Sequence, residues 1–354
     1  MWHIIAKELR NVKENLPFNA ATIASPLLFL FAFTVMVSGG IALPVGTDPG
    51  PGESPFLQSA AEFRAPDGTP YLVLEDGTAS DGRSADAYLV LSEPAVTDTG
   101  VSGHVVHVVN DVNANMTKNY ANRLDGAIVD WVGENTVAGT VDVREHTWYD
   151  VDIPWDMSFG VSALVFGAML AGLLFGMLAM TSEWENATTK LLALSPRSPL
   201  PIVAGKIAAA VLKSLVAGAV LVGVVAWMFP VGLANPWHLA AALVLLHLTF
   251  ASLGLALGLL VRSTMTAFLI SLVVALSLWV AGGGFGDLSY FGQAAQVVGA
   301  LNPATYALDL IRYAWFGGAV PGTHLVYLAA GALTAAVLST VLFARWSRSE
   351  RAAA

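Results

Sequence analysis

Four of the seven histidines are the side chains best suited to bind a metal or transfer a proton: His104, His107, His146 and His247. Imidazole is a common zinc ligand. His104 and His107 lie in a strand-like run, where positions three apart point to opposite faces, so the two rings would not converge. His247 lies within a long apolar run, where an ionisable group suggests a functional site and a neutral ring bonded to a neighbouring helix is the alternative. We predict no metal site from these residues.

Sequence motifs for nucleotide binding and for hydrolysis are absent. Gly205-Lys206 is followed by Ile207, where a phosphate-binding loop requires Ser or Thr, and no glycine-rich turn precedes it. The chain contains neither His-Glu-x-x-His nor Gly-x-Ser-x-Gly. The sequence therefore predicts no catalytic residue and no cofactor bound by this chain.

Long apolar runs dominate the sequence, which is 55% hydrophobic and only 12% charged over 354 residues. A helix that crosses a bilayer needs about 20 mostly apolar residues. Six runs are long enough: residues 21–43, 157–181, 207–233, 238–261, 264–281 and 322–344. The chain has no cysteine, so disulfides and thiolate sites are excluded. These features predict an α-helical polytopic membrane protein with six transmembrane helices.

A polar insert, residues 44–156, separates the first two predicted spans. It contains 19 Asp and Glu against 5 Lys and Arg, a formal charge of −14, whereas the remainder of the chain is at +5. The insert is predicted to form a small α+β domain, with strand-like runs at 71–74, 87–91, 105–109 and 140–144 and a helical pattern over 115–132. A Pro/Gly linker is predicted at 46–56. The acidity indicates either a solvated surface or a means of concentrating cations.

Positive residues near span ends predict the orientation of the chain, since they favour the cytoplasmic side. They lie at four places along the chain. Lys7, Arg10 and Lys13 precede span one; Lys190, Arg197, Lys206 and Lys213 lie at the junction of spans two and three; Arg262 lies between spans four and five; and Arg345, Arg348 and Arg351 follow span six. Both termini are therefore expected in the cytoplasm of the cell, with the insert outside the plasma or inner membrane.

The first 16 residues carry apolar side chains at helical spacing (Trp2, Ile5, Leu9, Val12 and Leu16). This stripe is typical of an amphipathic helix in the inner membrane interface, and a cytosolic extension of the first span is the alternative. Residues 1–43 are thus predicted to form an interfacial helix and the first transmembrane helix.

A short polar segment between spans two and three, beginning SEWENATTKLLALSP at Ser182, predicts a compact cytoplasmic helix over 183–195. Ser182 and Glu185 have the spacing of a capping box, and Pro196 disfavours helix from Ser195 onward. Trp184, Ala187 or Thr188, Leu191 and Leu194 have helical spacing and form one apolar stripe. The apolar stripe would dock in a groove on a soluble partner or lie on the inner lipid face.

An apolar segment between spans five and six contains Asn302-Pro303, a helix-start signal with Asn as N-cap. The segment therefore predicts two half-helices over residues 288–316, too short to cross the bilayer, that dip into the outer leaflet and pack against protein. Asp309 and Arg312, three residues apart, can neutralise each other.

This combination resembles the membrane subunit of ABC-2 type (type V) ABC transporters, in the exporter branch with a large extracytoplasmic domain after the first span. The resemblance rests on Lys7-Glu8-Leu9 before span one and on two further groups of residues. The first group matches the family's coupling pattern, which runs Glu-x-Glu-x-Gly-Thr-x-x-x-Leu-Leu-x-x-Pro. Its members are Glu183, Glu185, Thr188, Leu191 or Leu192, Ser195 and Pro196. The second group lies before span six and consists of Asn302, Pro303, Tyr306, Asp309 and Arg312. Ala187 stands in place of the usual glycine and Thr189 in place of a frequent acidic residue.

The resemblance implies a permease subunit of an ABC exporter for an ion, drug or lipid-like substrate. A separate ATPase, present in two copies and carrying ATP and Mg²⁺, would dock on the 183–195 helix. A second permease subunit, identical or paralogous, would complete a dimer in the bilayer, with no nucleic-acid partner. The alternatives are a membrane sensor or assembly protein whose outer domain binds a partner, and a secondary transporter, which the scarcity of charged residues within the spans disfavours.

Overall fold

The longest apolar helix, α5 (Trp155–Glu185), is surrounded by other helices along its whole apolar length. Its sequence carries no charge between Asp156 and Glu183, and it is apolar on every side. A helix of that kind is stable only in the interior of a protein or a membrane. Other helices of the same unit pack around α5.

The computed structural model describes residues 2–10, 16–37, 43–48, 50, 52–64, 68, 70–77, 87–97, 100–109, 114–135, 155–229, 232–286, 288, 292–317 and 322–352. The chain divides into two units: Met1–Val35 with Thr147–Ala354, and Met36–His146.

The first unit is all helical. Besides α5, its helices are α1 (Trp2–Arg10), α2 (Leu16–Val37), α6 (Thr189–Ala193), α7 (Pro199–Met228), α8 (Pro236–Gly258), α9 (Thr264–Ala281), α10 (Gln293–Ala300), α11 (Pro303–Phe316) and α12 (Thr323–Ala352). Within the described residues, five helices are long and apolar enough to cross a membrane: α5, α7, α8, α9 and α12. They coincide with predicted spans two to six. The chain is therefore a polytopic, mostly α-helical protein.

The predicted first span lies on α2, which begins at Leu16 instead of residue 21. Helix α2 has 22 residues, ends at Val37 and contains Pro26. It packs on α5 through Phe29, whose ring lies 5.6 Å from Phe159 and 5.3 Å from Phe166. Six crossings remain a prediction.

Helix α7 begins at Pro199, eight residues before the start predicted for span three. Ser198 is extended and Pro199 occupies the first turn, where a proline costs no hydrogen bond. Lys206, predicted to lie at the junction of spans two and three, is consequently inside the helix, with 1% of its surface exposed. The start predicted for span three is wrong because the run of apolar and small residues extends from Lys206 back to the proline.

Helices α5 and α8 make the closest helix contact, and glycines allow it. A Cβ on Gly176 would lie 2.2 Å from Ala251 O, and one on Gly254 would lie 2.2 Å from Leu173 O. Gly172 and Gly258 have similar contacts, so each helix contributes a Gly-x-x-x-Gly pair. The contacts advance along both helices in the same direction, so α5 and α8 run parallel.

The second unit contains a four-stranded mixed sheet with the order β2-β1-β3-β4. Its strands are β1 (Leu43–Asp48), β2 (Leu72–Asp76), β3 (Ala87–Thr97) and β4 (Gly100–Val109). Strand β1 pairs in parallel with β2 and β3, whereas β3 and β4 are antiparallel. Helices α3 (Pro55–Glu62) and α4 (Ala114–Asn135) contribute Phe56 and Trp131, whose rings meet edge to face at 5.7 Å in a small apolar core.

The linker predicted over 46–56 is wrong at both ends, because β1 includes residues 46–48 and α3 begins at Pro55. Thr47 and Asp48 complete the central strand, where β-sheet pairing outweighs the local turn propensity. The helix predicted over 115–132 corresponds to α4. The strand predicted at 140–144 and His146 lie outside the described residues.

We expect Gly176→Leu to prevent correct packing of the first unit, since its side chain has no space beside Ala251 O. Overpacking of this kind costs about 1–3 kcal/mol or more. The measurement is the yield and thermal unfolding midpoint of the detergent-purified chain. Gly223→Leu is the matched control, because a Cβ there meets nothing within 4 Å. Equal yields and midpoints for the two variants would show that the α5–α8 contact is not tight.

Candidate functional site

The segment between α5 and α7 begins with a tight turn that ends α5. The N–H of Ala187 donates to Trp184 O at 3.1 Å, and the N–H of Thr188 donates to Glu183 O at 2.9 Å. This pair of bonds is a Schellman motif, which places Ala187 in the left-handed conformation with φ 53°. The turn occurs at the position where the family pattern has glycine.

The single helix predicted over 183–195 is therefore wrong. Helix α5 continues to Glu185, and only the five residues of α6 form helix after the turn. The predicted capping box is also absent, because Ser182 Oγ donates to Leu178 O inside α5 at 2.7 Å. A serine can bond the preceding turn of its own helix as readily as it caps a new one, and the apolar run before Ser182 favours continuation.

Glu183 lies at the centre of a charge cluster that we call the Lys206 cluster: buried Glu8, Glu183 and Lys206, with Lys7 at its exposed edge. Lys206 Nζ donates to Glu8 Oε1 at 2.6 Å, to Glu183 Oε1 at 2.9 Å and to Ala179 O at 2.6 Å. Lys7 Nζ donates to the same Glu183 oxygen at 2.7 Å. All three ammonium protons of Lys206 are thus used, and α1, α5 and α7 are joined at one point.

The second oxygen of Glu183 joins the cluster to the turn, since Thr188 Oγ1 donates to Glu183 Oε2. Glu183 and Thr188, both predicted to contact an ATPase, instead contact each other inside this chain. The turn is therefore fixed both by its backbone bonds and by a buried carboxylate.

Glu185 contacts a different helix. Its carboxylate accepts the N–H of Thr264 at 2.7 Å and the Thr264 hydroxyl at 2.6 Å. Thr264 is the first residue of α9, where unpaired N–H groups and the helix dipole favour a negative charge. Glu185 thus caps α9 and ties it to the end of α5.

Helix α6 and the residue that follows it carry two leucines that face away from the protein. Leu191 and Leu194 are 73% and 54% exposed, whereas Leu192 packs into an apolar cluster with Phe343 and Trp346 of α12. Pro196 is exposed, and Ser195 O accepts a bond from Arg351 at 2.8 Å. Of the residues predicted to contact an ATPase, Glu185, Leu191 and Pro196 are exposed. We call Leu191 with Leu194 the exposed leucine pair.

The second group of predicted residues joins α9, α10 and α11. Asn302 caps α11 as predicted, accepting the N–H of Ala304 at 3.0 Å, and its amide donates to Leu278 O at 2.6 Å. Pro303 follows at the start of α11, and the Tyr306 hydroxyl donates to Ala300 O at 2.6 Å. These bonds satisfy carbonyls at the ends of two helices.

Asp309 and Arg312 extend from α11 toward different elements. Arg312 donates to Ser162 Oγ of α5 at 2.9 Å and to Gly283 O after α9 at 2.9 Å. Asp309 Oδ2 lies 3.6 Å from His324 Nδ1 of α12. The mutual ion pair predicted for Asp309 and Arg312 remains a prediction.

Sequence reasoning missed four residues that fix these elements: Glu8, Lys206, Thr264 and Arg351. Each partner is far away in the chain, as for Lys206 and Glu8. The one available signal was Lys206, which lies within an apolar run at the start of a helix. A charge buried there requires a partner of opposite charge. His247, an ionisable group within predicted span four, is buried in α8 against Gly218.

A family model described as ABC-2 family transporter protein matches residues 18–341. The chain belongs to this family. It is thus a permease-type component of an ABC transporter and a multi-pass membrane protein, and such permeases normally work with an ABC ATPase. A search of curated proteins found none that matches the chain.

For this ABC-2 chain we expect Ala187→Gly to raise stability by about 1 kcal/mol, because a side chain in the left-handed region costs about that much. The measurement is the thermal unfolding midpoint in detergent. Ala193→Gly, within α6, is the matched control and should lower stability by a similar amount. A midpoint that falls for Ala187→Gly would contradict the strain at this turn.

We expect Lys206→Met to destabilise the chain by about 3 kcal/mol, because Glu8 loses its buried partner and Glu183 keeps only Lys7. Adding Glu8→Gln should recover part of the loss, since it removes the unpaired charge. Lys190→Met removes an equal charge from the exposed side of α6 and should have little effect. The measurement is the free energy of unfolding of each variant. Equal values for Lys206→Met and Lys190→Met would contradict a stabilising role for the Lys206 cluster.

Proposed function

We propose that this chain is the membrane-spanning permease of an ABC exporter and that the exposed leucine pair is where a separate ATPase subunit docks. The observation that supports this most is the contrast within one short segment. Two leucines are exposed to solvent, while the residues on either side are fixed to α1, α7, α9 and α12 by buried or charge-assisted bonds. An apolar side chain held outward by a rigid support is typical of a docking surface.

The proposed mechanism needs no chemistry from this chain. ATP and Mg²⁺ bind and react on the ATPase, whose closure displaces the docked segment. Because Glu183 joins the segment to α7 and Glu185 joins it to α9, the displacement moves both helices as well as α5. A flexible segment would absorb the same displacement without moving the spans.

The proposed orientation puts the docking segment and both termini in the cytoplasm and residues 44–156 outside. The positions of the Lys and Arg residues support it. The parallel direction of α5 and α8 agrees with it, since α7 between them returns across the bilayer. Helices α10 and α11 then lie toward the outer surface, where we propose that they form the external rim of the pathway.

The proposed assembly contains two permease subunits and two ATPases, with the pathway between the permeases. The bonds of Arg312 to Ser162 and Gly283 keep α11 attached to α5 and to the end of α9. Motion of α5 and α9 at the docking end is then passed to the external rim. The second permease is either a copy of this chain or a paralogue.

We expect Leu191→Asp combined with Leu194→Asp to abolish ATPase docking, because two charges replace the apolar contact. Hot-spot losses of this kind are about 2–4 kcal/mol each. The measurement is the amount of Walker-A ATPase, identified by mass spectrometry, that copurifies from the native membrane and its ATP hydrolysis rate per chain. Leu260→Asp, at an exposed leucine after α8, is the matched control.

Undiminished ATPase recovery with the paired Asp variant would contradict docking at these leucines. ATP-dependent solute movement in vesicles containing the purified complex then distinguishes an exporter from a sensor, which would hydrolyse ATP without moving solute.

A further inference from the structure

Helix α6, which with its C-cap residue carries the exposed leucine pair, depends on α12 more than on any other described helix. It has only five residues, too few to be stable in isolation. Its principal neighbour is the C-terminal part of α12. Trp346 of α12 packs edge to face with Trp184, near the end of α5, at 5.9 Å, and it lies in the same apolar cluster as Leu192 of α6. The position of α6 is therefore set largely by the end of α12.

Arg351 completes this contact. Its Nε donates to Ala193 O at 2.6 Å, and a second guanidinium nitrogen donates to Ser195 O at 2.8 Å. Carbonyls at the end of a helix have no partner within that helix, and a cation there also complements the helix dipole. One planar side chain thus holds the end of α6 and the residue before Pro196 together, which a flexible ammonium reproduces only in part.

The opposite end of α12 contacts α11. His324 lies 3.6 Å from Asp309, and the Tyr327 ring lies 5.0 Å from the Tyr306 ring. Helix α12 runs unbroken through 30 residues without a proline, a length of about 45 Å. A single continuous helix therefore touches the docking segment at one end and α11 at the other.

We propose that Arg351 is a positioning residue that couples the docking segment to α12, so that displacement of α6 is transmitted along α12 to α10 and α11. This inference rests on the proposed function, because it requires an ATPase that displaces α6. Without the guanidinium, α6 would still bind the ATPase through its leucines but would move independently of α12.

The test uses the absence of cysteine from the chain. Single cysteines at Lys190 on α6 and at Val297 on α10, both exposed, carry a spin label in the purified permease–ATPase complex. Spectra are recorded without nucleotide and with ATP and orthovanadate. Each label is then combined with Arg351→Gln, Arg351→Lys or Arg348→Gln, the last being a matched control because Arg348 is an exposed arginine three residues earlier on α12.

In the parent chain we expect nucleotide to change both spectra. Arg351→Gln should keep the change at Lys190 and lower the population of the altered state at Val297 about tenfold, because the charge-assisted bonds to Ala193 O and Ser195 O are lost. The route through α5 and Arg312 accounts for the part that remains. Arg351→Lys should restore part of it, and Arg348→Gln should leave both changes intact. A change that is kept at Lys190 and lost at Val297 is not expected if the residue only supports folding, which would affect both labels.

A full change at Val297 in Arg351→Gln would overturn the inference while leaving the proposed function standing. Loss of the change at Lys190 as well would also overturn it, because Arg351 would then be needed for docking itself. No change at either label in the parent complex would instead refute ATP coupling, and the inference with it.

Discussion

The buried ammonium of Lys206 is the constraint on which the arrangement of the first unit depends. A lysine that is 1% exposed is stable as a cation only if every proton has an acceptor. Glu8, Glu183 and Ala179 O provide the three acceptors, and they come from α1 and α5. Since the cation belongs to α7, satisfying it determines where α1 lies and how α5 ends. An amphipathic helix that would otherwise be held only by its apolar stripe thus gains a specific anchor.

The geometry of the segment between α5 and α7 follows from that anchor. Glu183 holds Thr188, the left-handed Ala187 reverses the chain, and α6 begins one residue later. A second joint of similar design is present where α9, α10 and α11 meet. There Asn302 caps one helix and donates to the last turn of another. In both places a single polar side chain satisfies groups from two elements, so neither joint can move without moving two helices.

The sequence was sufficient where the physical signal is local. Apolar length predicted α5, α7, α8, α9 and α12, and Asn302-Pro303 predicted the start of α11. It was insufficient where partners are distant or a residue adopts an unfavourable conformation. Ala187 has no glycine signal for a left-handed turn, Lys206 finds Glu8 almost 200 residues away, and β1 forms from a Pro/Gly-rich run because two parallel neighbours pair with it.

The two acidic residues of the coupling pattern differ in role because of helix geometry. Positions two apart on a helix are separated by about 200° around its axis, so Glu183 and Glu185 point to nearly opposite sides of α5. One therefore reaches Lys206 of α7 and the other the start of α9. Both carboxylates are then bonded within this chain, Glu183 in the interior and Glu185 at the surface, whereas Leu191 and Leu194 are exposed apolar side chains. Substitutions at the glutamates would consequently act through the support of the docking segment, and substitutions at the leucines through the contact itself.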